Sequence, residues 1–181
     1  MRRYILTGAP GAGKTTIIRT LDGMGRRVVE EAATDVNVAM LAAGVAEPWK
    51  EPSFIDDIVA LQRRRQMEAQ APPDGIVFFD RSPVCTQALG VHLGRPISPA
   101  LALEVARIDR ERTYERTVFF IDNLGFVEPT AVRRISFEES LGFEAIHKTV
   151  YRSLGYDLVR IPADDLQARV DAILRRVAAL A

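Results

Sequence analysis

The chain has 181 residues, enough for one domain that buries about 70% of the surface its unfolded form exposes, and Lys plus Arg equals Asp plus Glu at 24 each. That balance sets up no net field toward a nucleic acid polymer or anionic lipid, so a charged ligand must be met by local groups. One cysteine and two histidines exclude an internal disulfide and disfavour structural zinc, and no apolar run approaches the roughly 20 residues of a membrane span. The expectation is a cytoplasmic protein with one domain over residues 1–181, engaging neither nucleic acid polymer nor membrane; its oligomeric state is left open.

The first apolar run, Tyr4 to Thr7, reads as a buried strand. Gly8-Ala9-Pro10-Gly11-Ala12-Gly13-Lys14-Thr15 follows at once, satisfies G-x-x-x-x-G-K-[ST], and leads into a helical run from Thr16 to Leu21. Small residues there let successive backbone N–H groups turn inward around a phosphate, and the helix N-terminus adds its positive end. Lys14 is placed to reach the β- and γ-phosphates of a nucleotide, Thr15 to offer a hydroxyl to Mg²⁺, and Thr16 to close the cradle. The cofactors read from this loop are ATP and Mg²⁺.

Arg27 to Val29 reads as the second strand, followed by the acids Glu30 and Glu31. If the strands are parallel, these acids share a rim with the phosphate loop, where a carboxylate can accept the proton of an attacking hydroxyl; a solvated pair favoured by a helix dipole is the other reading. Pro48 to Pro52 breaks two helices, with Trp49 read as a packing residue and stacking on a substrate ring as the alternative. Arg63, Arg64 and Arg65 cannot share one helix face, so they read as mostly surface, with one available to a substrate.

Pro72-Pro73-Asp74-Gly75 turns the chain into a third strand, Gly75 to Phe79, which delivers Asp80 to the C-terminal edge of a sheet. A carboxylate there can orient Mg²⁺ through water. Phe119-Phe120-Ile121-Asp122 ends a fourth strand, Thr117 to Ile121, in the same way, but Asp80 is preferred because Arg81 and Ser82 add a cation and a hydroxyl at once. Cys85, His92 and His147 read as packing or surface residues, not ligands.

Ser98-Pro99, Ser136 with Glu139, and Asp164 with Gln167 carry helix-start spacing. The breaker-rich stretch 125–137 reads as a lid presenting Arg133 or Arg134 to the charge that phosphoryl transfer develops, with a solvated pair as the alternative. Tyr156 to Ile161 is the fifth strand, and Leu166, Val170, Ile173, Leu174, Val177 and Leu180 form a core stripe on the last helix. Strands alternating with helices specify an α/β fold in three layers: a five-stranded, mainly parallel sheet with helices on both faces.

Carried by Gly8 to Thr16, Val28-Val29-Glu30-Glu31-Ala32-Ala33, Phe78-Phe79-Asp80-Arg81-Ser82 and Tyr151 to Pro162, the chain resembles the AAA-type P-loop ATPase family related to the nicotinamide riboside kinase domain. Beyond that family it resembles the nucleoside and nucleotide kinases. The resemblance implies the P-loop NTPase strand order 2-3-1-4-5, an acceptor site beneath Glu31, and adenine near Pro162 and Ala163. It departs at Thr34, where the family often carries arginine. The expected activity is kinase transfer to a small-molecule, nucleoside-like acceptor, with Lys14, Glu31, Asp80, Arg81 and Arg133 or Arg134 in the chemistry. The alternative is a nucleotide-dependent switch or regulatory ATPase acting through a protein partner. No Asn-Lys-x-Asp guanine motif is present.

Overall fold

The computed structural model describes residues 1–125 and 136–180. In chain order the elements are β1 Arg2–Thr7, α1 Lys14–Gly23, β2 Arg27–Val29, α2 Ala32–Ala42, a 3₁₀ turn Pro48–Lys50, α3 Phe54–Glu68, β3 Ile76–Asp80, α4 Pro83–His92, α5 Pro99–Arg110, β4 Thr117–Ile121, α6 Phe137–Ser153, β5 Asp157–Ile161 and α7 Leu166–Ala179. The sheet runs β2-β3-β1-β4-β5 with every pairing parallel, as the resemblance implies.

Apolar side chains fill both faces of the sheet, since parallel strands joined by helical crossovers are covered on each side. Ile5, Val77, Phe79 and Val118 face α4, α5 and α6 through Cys85, Ile108 and Tyr151. Tyr4, Leu6, Phe78 and Phe119 face α1 and α7 through Ile17, Leu21, Val170 and Ile173. Full burial of such a side chain contributes about 1.5–3 kcal/mol, so these two layers hold the sheet rigid beneath the loops at its C-terminal edge. A third cluster, Val36, Phe54, Ile55, Ile58 and Leu101, packs α2 and α3 against α5 beyond the sheet.

The helix starts follow their local chemistry. Ser98 accepts from Leu101 N with Pro99 at the first position, and Ser136 with Glu139 forms a reciprocal capping box. The start of α7 differs from the expected one. Its cap is Asp165, which accepts from Ala168 N, because Asp164 instead turns its carboxylate onto Asp165 N. The stripe on α7 is core at Val170, Ile173 and Val177, whereas Leu166, in the first turn beyond the sheet's edge, is 38% exposed. Helix α1 begins two residues before the expected Thr16, so Lys14 and Thr15 already belong to its first turn. None of the described helices is long and apolar enough to cross a membrane.

Candidate functional site

β1 ends in the phosphate loop, whose geometry demands its glycines. Gly8 sits at φ 141°, and a Cβ there would lie 2.4 Å from the carbonyl oxygen of Ile121. Gly13 closes the loop at φ 82° as the N-cap of α1. Lys14 is 6% exposed, and its Nζ donates to the carbonyls of Gly8 (2.9 Å) and Ala9 (2.8 Å), which arches the side chain over the loop. Burial, with help from Arg81, lowers the ammonium pKa to about 7 against the pull of Asp80 and Glu31. Thr15 and Thr16 stand at the helix N-terminus and line a cleft of about 610 Å³ with Pro10, Gly11 and Gly13.

A support of this loop escapes sequence reading. Arg169, on α7 and 4% exposed, donates to the carbonyls of Ala12 (2.8 Å) and Asp122 (3.0 Å), tying the loop to the end of β4. Its sequence signal is a lone arginine beside Val170 in an otherwise apolar helix stripe.

Asp80, 6% exposed, ends β3 directly across from Leu6. Its Oδ1 is buried without a hydrogen-bond partner. Burial and the neighbouring Glu31 raise its pKa to about 6, while Lys14 and Arg81 pull the other way. Asp122, the competing strand-end acid, is tied to Arg160 Nε at 2.5 Å. Asp80 lies beneath the large cleft, on a water-sized hollow of about 10 Å³ shared with Glu30 and Arg65. The partnerless buried carboxylate oxygen of Asp80 and the Thr15 hydroxyl at the helix start are each hard-oxygen donors of the kind that suits Mg²⁺, an ion bound through few protein oxygens plus phosphates. Among the described residues no cluster of three His, Cys, Asp or Glu could hold a metal.

Arg81 follows at φ 72°, one of two non-glycine residues described at positive φ. Such strain, of order 1–3 kcal/mol, persists where surrounding contacts over-determine it. Its N–H bonds Leu6 O at 3.0 Å, its Nε lies 2.5 Å from Glu31 Oε1, and its Nη1 is 3.3 Å from His147 Nε2. Burial opposes the Glu31 carboxylate, but Arg81 and Lys14 outweigh it and hold the acid below its ordinary pKa. Thr34, at the position where the resemblance departs, donates to Glu31 Oε2 at 2.8 Å. The backbone beneath is clamped by Arg65, whose Nη1 donates to the carbonyls of Glu30 (3.0 Å) and Glu31 (2.8 Å) and whose Nη2 pairs with Asp35. Of the arginine triplet, then, the one nearest the site holds the chain that carries Glu31.

The same cleft continues past Glu31 and Arg81 into an apolar wall of Trp49, Phe54, Leu89, Leu93 and Phe143. Arg95 fixes the turn bearing Trp49 by donating to the carbonyls of Trp49 and Glu51, so this indole both packs and lines the cleft. Asn37 and Gln62 add carboxamides, and Gln62 accepts from Thr86 at 2.8 Å. Cys85 is buried against Thr7 and Tyr151, in keeping with a packing role. Pro162 and Ala163 are exposed beyond β5 and do not line this cleft. Arg133 and Arg134, with positions 126–135 of the expected lid at 125–137, lie outside the described residues, and its last two positions, Ser136 and Phe137, are the cap and first residue of α6.

A family described as AAA domain matches residues 3–169. The chain belongs to this family. Among solved structures it is similar to the NadR protein in complex with NAD and AMP-PNP, at 16% identity and TM-score 0.67, covering 96% of this chain and 49% of that one. It thus spans about half of NadR. It is also similar to deoxyadenosine kinase from M. mycoides with products dCMP and a flexible dCDP bound, at 12% identity and TM-score 0.59, covering 99% of this chain and 100% of that one. These likenesses establish the P-loop kinase-like fold. No curated protein sequence matches the chain.

Proposed function

We propose that the chain is a Mg-ATP-dependent kinase that transfers the γ-phosphoryl group to a hydroxyl of a small, nucleoside-like acceptor. The observation that carries this reading is the single cleft with the phosphate loop at one end, an apolar wall with two carboxamides at the other, and the Glu31–Arg81 pair between them. Flat rings suit such a wall, which offers aromatic faces and a few polar groups for orientation. Both structural neighbours were solved with nucleotides bound, which supports a nucleotide in this cleft.

Lys14, which exchanges its loop carbonyls for phosphate oxygens, carries positive charge to the β- and γ-phosphates. Thr15 and Asp80 would hold Mg²⁺, which when bound would supply positive charge against the phosphates. Glu31, already held acidic, is a poor base toward a free hydroxyl; it orients the hydroxyl and takes its proton late, once bonding to phosphorus has acidified it. Arg81 offers its guanidinium to the charge on the transferring group. Arg133 and Arg134 remain proposed as further cations, and Pro162 with Ala163 as the adenine neighbourhood. The cytoplasm is the proposed location.

A thermal-shift screen of nucleosides, nucleotides and small alcohols in the presence of Mg-AMP-PNP tests the reading. A ligand that binds only the native state raises its melting temperature by mass action, so nucleoside-like compounds are expected to stabilise beyond the nucleotide alone. Hits then undergo single-turnover transfer from ATP. No nucleotide-induced shift, or transfer to none of the hits, would overturn the proposal.

A further inference from the structure

Arg81 is held from two sides, and the second holder belongs to no motif. His147 lies on α6, 66 residues away, fully buried with 0% exposure. Its ring is fixed by Phe143, packed at 4.3 Å between centroids, while Phe143 in turn stacks on His92 at 4.5 Å. The two nitrogens have definite tasks. Nδ1 sits 3.0 Å from the carbonyl oxygen of Phe143, an atom that can only accept, so Nδ1 carries the proton. A guanidinium can only donate, so Nε2, 3.3 Å from Arg81 Nη1, must be the bare acceptor.

We infer that His147 is a positioning residue, a neutral imidazole whose Nε2 aims the Arg81 guanidinium into the cleft between the phosphate loop and Glu31. Burial and the facing Arg81 lower its pKa to about 3, so the acceptor form persists at neutral pH. The strained backbone at Arg81 leaves its side chain dependent on such outside contacts. With Glu31 on one side and His147 on the other, the guanidinium is confined laterally and can meet a phosphoryl group only along the cleft. This inference rests on the phosphoryl-transfer reading for its consequence, though not for its geometry.

Two substitutions separate the nitrogens. In His147→Asn the amide nitrogen takes the place of Nδ1 and keeps the bond to Phe143 O while Arg81 loses its acceptor. In His147→Gln the amide oxygen takes the place of Nε2 and keeps Arg81 while Phe143 O loses its donor. Phosphate release from Mg-ATP by the full chain is expected to fall about tenfold in kcat for His147→Asn and to stay within about twofold for His147→Gln, with calorimetric ATP affinity unchanged in both. Where the parent turns over Mg-ATP, equal rates in the two variants, or a slow Gln and an unimpaired Asn, overturn the inference.

A second readout needs no turnover. In the unmodified protein, ¹⁵N NMR of the His147 ring must show the Nδ1–H tautomer, with the Nε2 resonance shifted in Arg81→Lys. An Nε2–H tautomer overturns the inference whatever the rates. If the protein neither binds nor hydrolyses Mg-ATP while the ring shows the expected tautomer and response, the kinase reading fails and the positioning stands.

Discussion

Two carboxylates 49 positions apart are pushed in opposite directions by one neighbourhood. Asp80 is raised to about 6 by burial and by Glu31, while Glu31 is held low by Arg81 and Lys14 despite its own burial. Under the proposed function, divergent environments of this kind would divide the roles: the orphaned Asp80 Oδ1 would take a cation, whereas Glu31, already paired, would meet the acceptor. Asp80→Asn is therefore expected to weaken Mg²⁺ dependence of nucleotide affinity at least tenfold, with little change in metal-free binding. Asp122→Asn, which removes only a strand-end pair with Arg160, should leave that dependence within about twofold. Calorimetric titration of ATP with and without Mg²⁺ decides, and a larger metal defect in Asp122→Asn would transfer the metal role to β4. Glu31→Gln keeps an acceptor for Arg81, turns an amide donor toward the Thr34 hydroxyl, and removes the proton-accepting charge. Its single-turnover transfer should fall roughly 10² to 10⁴-fold, about 3–5 kcal/mol, with ATP affinity within a few-fold. Glu30→Gln is the comparison, and equal losses in the two would dissolve the distinction.

Elements whose causes are local were the legible ones. β2 and β4 have the bounds read for them, and the phosphate loop turns between strand and helix because its glycines reach the positive φ that the turn needs. The Ser98 and Ser136 caps formed for the same local reason. What stayed hidden joins distant segments: Arg169 to Ala12, Arg65 to Glu31, and His147 to Arg81, each pairing set by where crossover helices land rather than by spacing. The cap of α7 slipped by one because two adjacent aspartates competed for one helix start. The loop's dependence on Gly8 is itself testable. Gly8→Ala drives a methyl to 2.4 Å from Ile121 O, a backbone atom that cannot yield without moving β4. Urea unfolding should show a loss of about 2–4 kcal/mol, combining positive-φ strain with the clash, and ATP affinity should fall with it. A variant as stable as the parent would mean the loop can relax away from β4.

At the scale of the molecule, the buried Lys14 makes stability depend on pH in a window where few other groups titrate. Its folded pKa, about 7, lies below its ordinary 10.5 because burial and Arg81 disfavour the ammonium. Between pH 7 and 10.5 the unfolded chain therefore binds more protons at this position than the native one. Stability rises with pH wherever that holds, so the cost of burying the ammonium, full below pH 7, is relieved as pH rises. Asp80 and His147, at about 6 and about 3, have completed their titration by the upper part of this window and do not contribute there. Lys14→Met keeps the length and apolar stem of the side chain while deleting the titration. The expected result is a parent protein that gains stability relative to Lys14→Met as pH moves from 7 to 10, read from urea midpoints of both proteins at each pH. Parallel curves would show that the Lys14 ammonium is solvated in the folded state. Under the proposed function the same linkage would act on the ligand: an amine poised near 7 would take up a proton when a triphosphate settled beside it. At pH 8, where Lys14 is mostly neutral, calorimetric heats of ATP binding should vary with the ionisation enthalpy of the buffer in the sense of proton uptake, and Lys14→Met should abolish that variation.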